Sequence, residues 1–226
     1  MIDLFENENT GGREILGPEA FILKRFALPV ANVLLAKIAL IQTLSPFRHM
    51  MTPGGFTMSV GLTNCGQLGW TSDRRGYKYS PIDPVTGNPW PAMPNEFLEL
   101  AKSAASEAGF VNFVPDACLI NRYIPGTKLS LHQDKDEQDL SAPIVSVSLG
   151  IPAVFQFGGF ERDAPKIKVP LFHGDVVVWG GADRLRFHGV LPLKPNSHWL
   201  LGEQRINLTF RKSSPLNSDF LIKGLG

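Results

Sequence analysis

Two stretches of the chain carry apolar residues at helical spacing, and both lie in its first half. Between residues 29 and 44, Val33, Leu34, Ala36, Ile38, Ala39 and Ile41 recur on one side behind Pro29, whose fixed φ suits a first turn. A second run follows Pro94, where Phe97, Leu98, Leu100, Ala101, Ala104 and Ala105 form an apolar face that Gly109 ends. Beyond Gly109 the period changes. Short β-rich runs at 117–124, 144–149, 153–157, 168–171, 175–179, 184–188 and 205–211 follow one another with turn signals between them. That spacing predicts a mainly β protein, a sandwich or jelly roll, with an α+β N-terminal part whose helices buttress one sheet. Between the helices, residues 51–94 are rich in Gly, Pro, aromatic and polar side chains and read as hairpins and long loops. Irregular chain of that length is usually functional.

Composition sharpens this in three ways. The 226 residues suit one core plus an appendage, and 43% hydrophobic residues fill such a core and exclude a disordered chain. The 22 glycines and 18 prolines, together well above the roughly 12% of average usage, supply the turns. Lys and Arg number 22 against 21 Asp and Glu, a formal charge of +1, so any polyanion contact must come from a local patch. The first ten residues carry acidic and amide side chains and no basic one, and Cys65 and Cys118 lie far apart. A cytoplasmic protein with free thiols and no targeting signal is expected. The apolar stretch 21–44 is interrupted by Lys24, Arg25, Pro29 and Lys37 before the roughly 20 residues a membrane span needs, and reads as a soluble helix.

Candidate chemistry begins at Leu131-His132-Gln133-Asp134. On an extended segment, side chains at i and i+2 leave the same face, about 7 Å apart at the backbone, so His132 and Asp134 are close enough to converge on one ion. A His-x-Asp triplet is also a common surface pair. A second His at a strand end would complete a two-His, one-carboxylate triad, which leaves open positions on Fe(II). His188 fits, but spacing alone does not separate it from His173; His49 and His198 read as turn or surface residues. The run 205–211 alternates strictly. Ile206, Leu208 and Phe210 share one face and Arg205, Asn207, Thr209 and Arg211 the other. A solvated strand face would explain the polar set, but two Arg bracketing an Asn suit a ligand with two carboxylates. Asn121 and Tyr123 share a face and add hydrogen-bonding groups. Iron plus a dicarboxylate points to 2-oxoglutarate.

The segments Asn121-Arg122-Tyr123, Leu131-His132-Gln133-Asp134-Lys135-Asp136, His173-Gly174-Asp175-Val176-Val177-Val178-Trp179, Phe187-His188-Gly189 and Arg205-Ile206-Asn207-Leu208-Thr209-Phe210-Arg211 resemble the AlkB family. So do Ser45-Pro46-Phe47-Arg48 and Pro53-Gly54-Gly55. These are Fe(II)- and 2-oxoglutarate-dependent dioxygenases that remove alkyl groups from nucleic-acid bases. The resemblance covers about residues 21–211 and implies a double-stranded β-helix core. It implies His132, Asp134 and His188 as iron ligands, choosing His188 over His173. Asn121, Tyr123, Arg205, Asn207 and Arg211 would hold 2-oxoglutarate, with O₂ as the other co-substrate. The expected organisation is an N-terminal extension (1–20), helices and a nucleotide-recognition lid (21–112), the jelly-roll core (113–212) and a C-terminal tail (213–226).

The lid is the segment 69–79, which interleaves aromatic and basic residues. Trp70 and Tyr77 offer stacking surfaces and Arg74, Arg75 and Lys78 phosphate contacts. The same composition fits a Trp that anchors the loop, with solvated cations around it. A base in a duplex cannot reach a buried iron, so single strands or flipped-out nucleotides are the expected partners. The resemblance implies repair of bases such as 1-methyladenine and 3-methylcytosine in DNA or RNA by a monomer. 2-Oxoglutarate would go to succinate and CO₂, and the methyl group would leave as formaldehyde. Asp136 would share a face with Asp134 if the strand continues and would set its carboxylate against the cationic base. Trp70 and His132 would flank that base. Arg162 resembles the family's substrate-contacting Arg. Two rivals remain: a 2-oxoglutarate-dependent hydroxylase of a small molecule or protein, and a non-catalytic jelly-roll binding module.

Overall fold

The computed structural model describes residues 11–214. The first ten residues, read above for a targeting signal, and residues 215–226 of the tail lie outside the described residues. In chain order the elements are β1 (Gly12–Gly17), β2 (Ala20–Lys24), α1 (Ala31–Leu44), β3 (Gly61–Gly66), β4 (Gly69–Asp73), β5 (Gly76–Ser80) and α2 (Asn95–Glu107). There follow β6 (Ala117–Tyr123), β7 (Leu129–His132), β8 (Ile144–Gly150), β9 (Ala153–Phe157), β10 (Ile167–Leu171), β11 (Val176–Trp179), β12 (His188–Val190) and β13 (Arg205–Arg211).

β13 organises the molecule because both of its faces are buried. Ile206, Leu208 and Phe210 point to the side covered by the helices, where Leu34, Ile38 and Ile41 of α1 and Phe97, Leu100, Ala101 and Ala104 of α2 complete one core. The Phe97 ring meets Phe210 edge-on at 6.0 Å, a favoured aromatic geometry. Seven antiparallel strands form this sheet in the order β1-β2-β11-β8-β13-β6-β3. A second sheet, β10-β9-β12-β7, faces it across another core that includes Tyr123, Ile144, Phe155, Phe157, Val177, Trp179 and Val190. These two layers are the jelly roll. The hairpin β4–β5, which carries the expected lid segment, forms a third, two-stranded sheet.

The structure adds to or departs from the sequence expectations at several points. The stretch 21–44 is not one helix: Phe21–Lys24 belongs to β2, which pairs with β1 and β11, and Arg25 turns the chain at φ 58° before a 3-10 turn at Leu28–Val30 leads into α1. Within the expected extension 1–20, residues 12–17 form the edge strand β1. β7 is a strand that the list of β-rich runs lacks. The expected strand 184–188 is instead a 3-10 turn at Gly181–Asp183 followed by irregular chain, with regular pairing only from His188. The cause is Arg184, whose buried side chain is drawn inward by three acceptors described below. Cys65 and Cys118 are free, buried and directly opposite each other across β3 and β6. Among the described residues no helix is long and apolar enough to cross a membrane.

Candidate functional site

β7 ends at His132 and β12 begins at His188, and the antiparallel register sets these residues opposite each other with ring centroids 4.4 Å apart. Asp134 follows on irregular chain. Its Oδ1 lies 3.6 Å from His132 Nε2 and its Oδ2 3.7 Å from His188 Nε2. One ligand atom from each of the three falls within 4.8 Å of the others. The Nδ1 of His132 is 2.9 Å from the Ser130 carbonyl and that of His188 3.0 Å from the Arg186 carbonyl. A carbonyl only accepts, so each Nδ1 carries the proton and each Nε2 turns its lone pair toward Asp134.

Burial, with His132 adding to it, lowers His188 to about 3, so this imidazole is neutral near pH 7. Burial alone would raise the Asp134 carboxyl. The Arg211 guanidinium outweighs it and holds Asp134 well below the usual carboxylate range. Two imidazoles and a carboxylate are the donor set that Fe(II) takes in such triads, so the residues present fit the metal. His173 is built differently. Its Nδ1 accepts the Gly150 N–H at 3.0 Å, and its ring lies 4.4 Å from that of His198. His49 binds the Met58 carbonyl through Nδ1.

On the inner face of β13, Arg205 pairs in register with Tyr123 of β6, and Asn207 with Asn121. All four are buried. Arg205 Nη2 donates to Ser148 Oγ at 2.8 Å, but its Nε and Nη1, the Tyr123 hydroxyl and Asn121 Oδ1 have no hydrogen-bond partner among the described residues. The guanidinium carbon sits 5.0 Å from the Tyr123 ring centre. A buried guanidinium without a counter-ion is costly, and open donors around it make a socket for an anion. The 2-oxoglutarate carboxylate fits that socket. Asn207 is already engaged, donating to Ser146 Oγ at 2.8 Å and the Val147 carbonyl at 2.9 Å. Arg211 donates from Nε and Nη2 to Asp134 Oδ2 at 3.0 and 2.8 Å, linking β13 to the His132, Asp134 and His188 cluster.

On the β4–β5 hairpin, Trp70 and Tyr77 stack on each other, with centroids 5.4 Å apart and planes 19° from parallel. Trp70 Nε1–H donates to Asp136 Oδ2 at 3.0 Å. The expectation for Asp136 assumed a continuing strand. The strand stops at His132, yet Asp136 still reaches the β4–β5 hairpin. Arg162 donates to the Leu131 carbonyl at 2.6 Å, beside His132, and lies over the Phe187 ring. Lys78 is exposed, 3.9 Å from Asp73. The sequence reading passed over Tyr79, Glu137 and Arg184. Tyr79 O–H donates to Glu137 Oε1 at 2.6 Å, and Glu137 Oε1 is 3.4 Å from Arg211 Nε. Tyr79 was legible as the in-phase neighbour of Tyr77; nothing in the local pattern marked the other two.

Comparison with known proteins agrees with this geometry. The family model of the 2OG-Fe(II) oxygenase superfamily matches residues 20–211. The chain is 59% identical over 213 residues to the alpha-ketoglutarate-dependent dioxygenase AlkB of Escherichia coli (strain K12), covering 94% of this chain and 98% of that protein. It is 58% identical over 214 residues to AlkB of Salmonella typhimurium, covering 95% and 99%. A solved structure of OsALKBH1 superposes with a TM-score of 0.75 at 32% identity, over 88% of this chain and 100% of that one.

Proposed function

Because the chain belongs to the 2OG-Fe(II) oxygenase superfamily, we propose that it is an AlkB-type dioxygenase that repairs N-alkylated nucleic-acid bases by oxidative dealkylation. The observation that carries the substrate class is the link between lid and metal site: Trp70, stacked on Tyr77, is hydrogen-bonded to Asp136, two residues beyond the ligand Asp134. When bound, Fe(II) with 2-oxoglutarate and O₂ supplies the oxidation, which yields succinate, CO₂ and formaldehyde and restores the base.

The chain's own residues do the rest. His132, Asp134 and His188 would hold the metal and leave positions open for the co-substrates. Asn121, Tyr123, Arg205, Asn207 and Arg211 would hold 2-oxoglutarate, with one carboxylate in the socket of Arg205, Tyr123 and Asn121, and Arg211 would also orient Asp134. Trp70 and Tyr77 would stack on an unpaired or flipped-out base and Asp136 would favour a cationic one, such as 1-methyladenine or 3-methylcytosine. Lys78 would contact the strand's phosphates and Arg162 the substrate. One chain carries triad, socket and stacking pair, which supports a monomer, and two free buried thiols support a reducing cytoplasm.

The test is formaldehyde release from methylated single- and double-stranded DNA and RNA oligonucleotides with Fe(II) and 2-oxoglutarate. Triad-dependent release accompanied by base restoration is expected. Turnover of 2-oxoglutarate with no base restored would assign the site to hydroxylation of a small molecule or protein.

A further inference from the structure

The triad has a weak point in its architecture. β7 ends at His132, so Asp134 lies on chain that no strand ladder holds. Something else must fix its backbone if the carboxylate is to meet both imidazoles. Arg184, only 3% exposed, does this with one guanidinium. Its Nη1 donates to the Asp134 main-chain carbonyl at 2.6 Å, its Nη2 to Glu137 Oε2 at 3.1 Å and its Nε to the Ala142 carbonyl at 3.0 Å. Three acceptors spread along residues 134–142 are thus gathered on one rigid planar fork, a task a single ammonium cannot perform. The next residue adds a fourth tie, since Gln133 Nε2 donates to the Leu185 carbonyl at 2.6 Å.

The fork is itself braced. Arg184 follows the 3-10 turn Gly181–Asp183, and its N–H bonds to the Gly181 carbonyl at 3.1 Å. That turn is clasped by the bend between β1 and β2: Glu19 N–H donates to Asp183 Oδ2 at 2.7 Å, and the Glu19 carboxylate accepts the Ala182 N–H. A path of hydrogen bonds therefore runs from the N-terminal hairpin through Asp183 and Arg184 to the metal ligand. Glu137 balances the charge of Arg184 and lies against Arg211, which holds the Asp134 side chain. Backbone and carboxylate of Asp134 are so fixed by two arginines that share Glu137.

We propose that Arg184 is a positioning residue for the metal site, setting Asp134 against His132 and His188 through its main chain, with Glu137 as its counter-ion. The inference rests on the reading of those three residues as the metal ligands. Partners of this kind, one step outside the ligands, typically contribute about 10- to 100-fold in metal affinity.

The experiment titrates the full metal-free chain with Mn(II), following the free ion by electron paramagnetic resonance, alongside thermal unfolding. Arg184→Lys keeps a buried cation but loses the fork; Mn(II) affinity should fall about 10- to 100-fold in protein that is still folded at the titration temperature. Glu137→Gln keeps shape and the acceptor for Tyr79 while removing the counter-ion, and should weaken Mn(II) about tenfold; it decides the matter if the Lys variant does not fold. A purely structural Arg184 would lower the unfolding midpoint and leave the affinity of folded protein unchanged, and that result overturns the proposal. A wild-type chain that binds no Mn(II), or binds it equally well after Asp134→Ala, would instead overturn the ligand assignment and this inference with it.

Discussion

His188 lies directly opposite His132 across the β7–β12 pair, and the residue that permits this approach is Gly189. The register shifts between His188 and Val190. A Cβ at position 189 would stand 2.8 Å from the Leu129 carbonyl oxygen and 3.2 Å from the Leu131 nitrogen, both backbone atoms that cannot swing aside. Gly189→Ala should therefore pry β12 from β7 and separate the two imidazoles. We expect a loss of about 1–3 kcal/mol in urea denaturation, as for other overpacked sites, and Mn(II) affinity down about tenfold. Wild-type affinity in the variant would show that the imidazoles need no such close pairing.

Arg205 carries the opposite signature, a buried charge that the fold leaves under-satisfied. Replacing it with Met removes the desolvation penalty at the cost of one hydrogen bond to Ser148. The metal-free Arg205→Met protein should melt at or above the wild-type temperature, while 2-oxoglutarate affinity of the Mn(II) form falls about a hundredfold or more. Differential scanning calorimetry and a calorimetric titration measure the two quantities. A destabilised metal-free variant would mean that the guanidinium serves the fold rather than a ligand.

These two sites differ in how far the amino-acid pattern exposes them. β13 was legible because its strict alternation splits an apolar set from a polar one, and each face has its own partner. His132 and Asp134 were legible from i, i+2 spacing. His188 and His173 were not separable that way, since the difference lies in what each Nδ1 meets: a carbonyl in one case, a backbone N–H in the other. Phe21–Lys24 merged with α1 because a short apolar run fits a strand or a buried helix equally well. The stretch 184–188 has β character, but nothing local to it says that acceptors between Asp134 and Ala142 pull Arg184 inside. Long-range hydrogen bonding, not propensity, decides that segment.

Trp70 joins the lid to the site by two contacts, a stack on Tyr77 and a hydrogen bond to Asp136. Trp70→Ala removes both, and a lost base–aromatic stack corresponds to about 1–3 kcal/mol. Affinity for a methylated oligonucleotide should drop at least about tenfold, with 2-oxoglutarate turnover in the absence of nucleic acid unchanged. Asp136→Asn keeps an acceptor for the indole and loses only the charge, so it should erode preference for 1-methyladenine over adenine more than overall binding. Fluorescence anisotropy with matched oligonucleotides reads both effects. Equal loss of oligonucleotide binding and of substrate-free turnover in Trp70→Ala would make Trp70 an anchor of the fold.

His173 supplies a pH prediction distant from the lid. Burial, with His198 adding to it, lowers its imidazole to about 4, against about 6.5 in an unfolded chain. Above the unfolded value neither state binds a proton there, and the residue has no effect on stability. As pH falls below it, the unfolded state takes up a proton that the folded state refuses, so stability declines until the folded value is reached. The slope is at most about 1.4 kcal/mol per pH unit, and the partial exposure of the ring reduces it. His188 contributes in the same direction in metal-free protein, equally in wild type and variant. His173→Gln keeps an acceptor for the Gly150 N–H and cannot titrate. It should cost about 1 kcal/mol at pH 7 and lose visibly less stability than wild type between pH 7 and pH 5, as urea midpoints would show. Parallel pH profiles for the two proteins would mean that His173 protonates as freely in the folded state as in the unfolded chain.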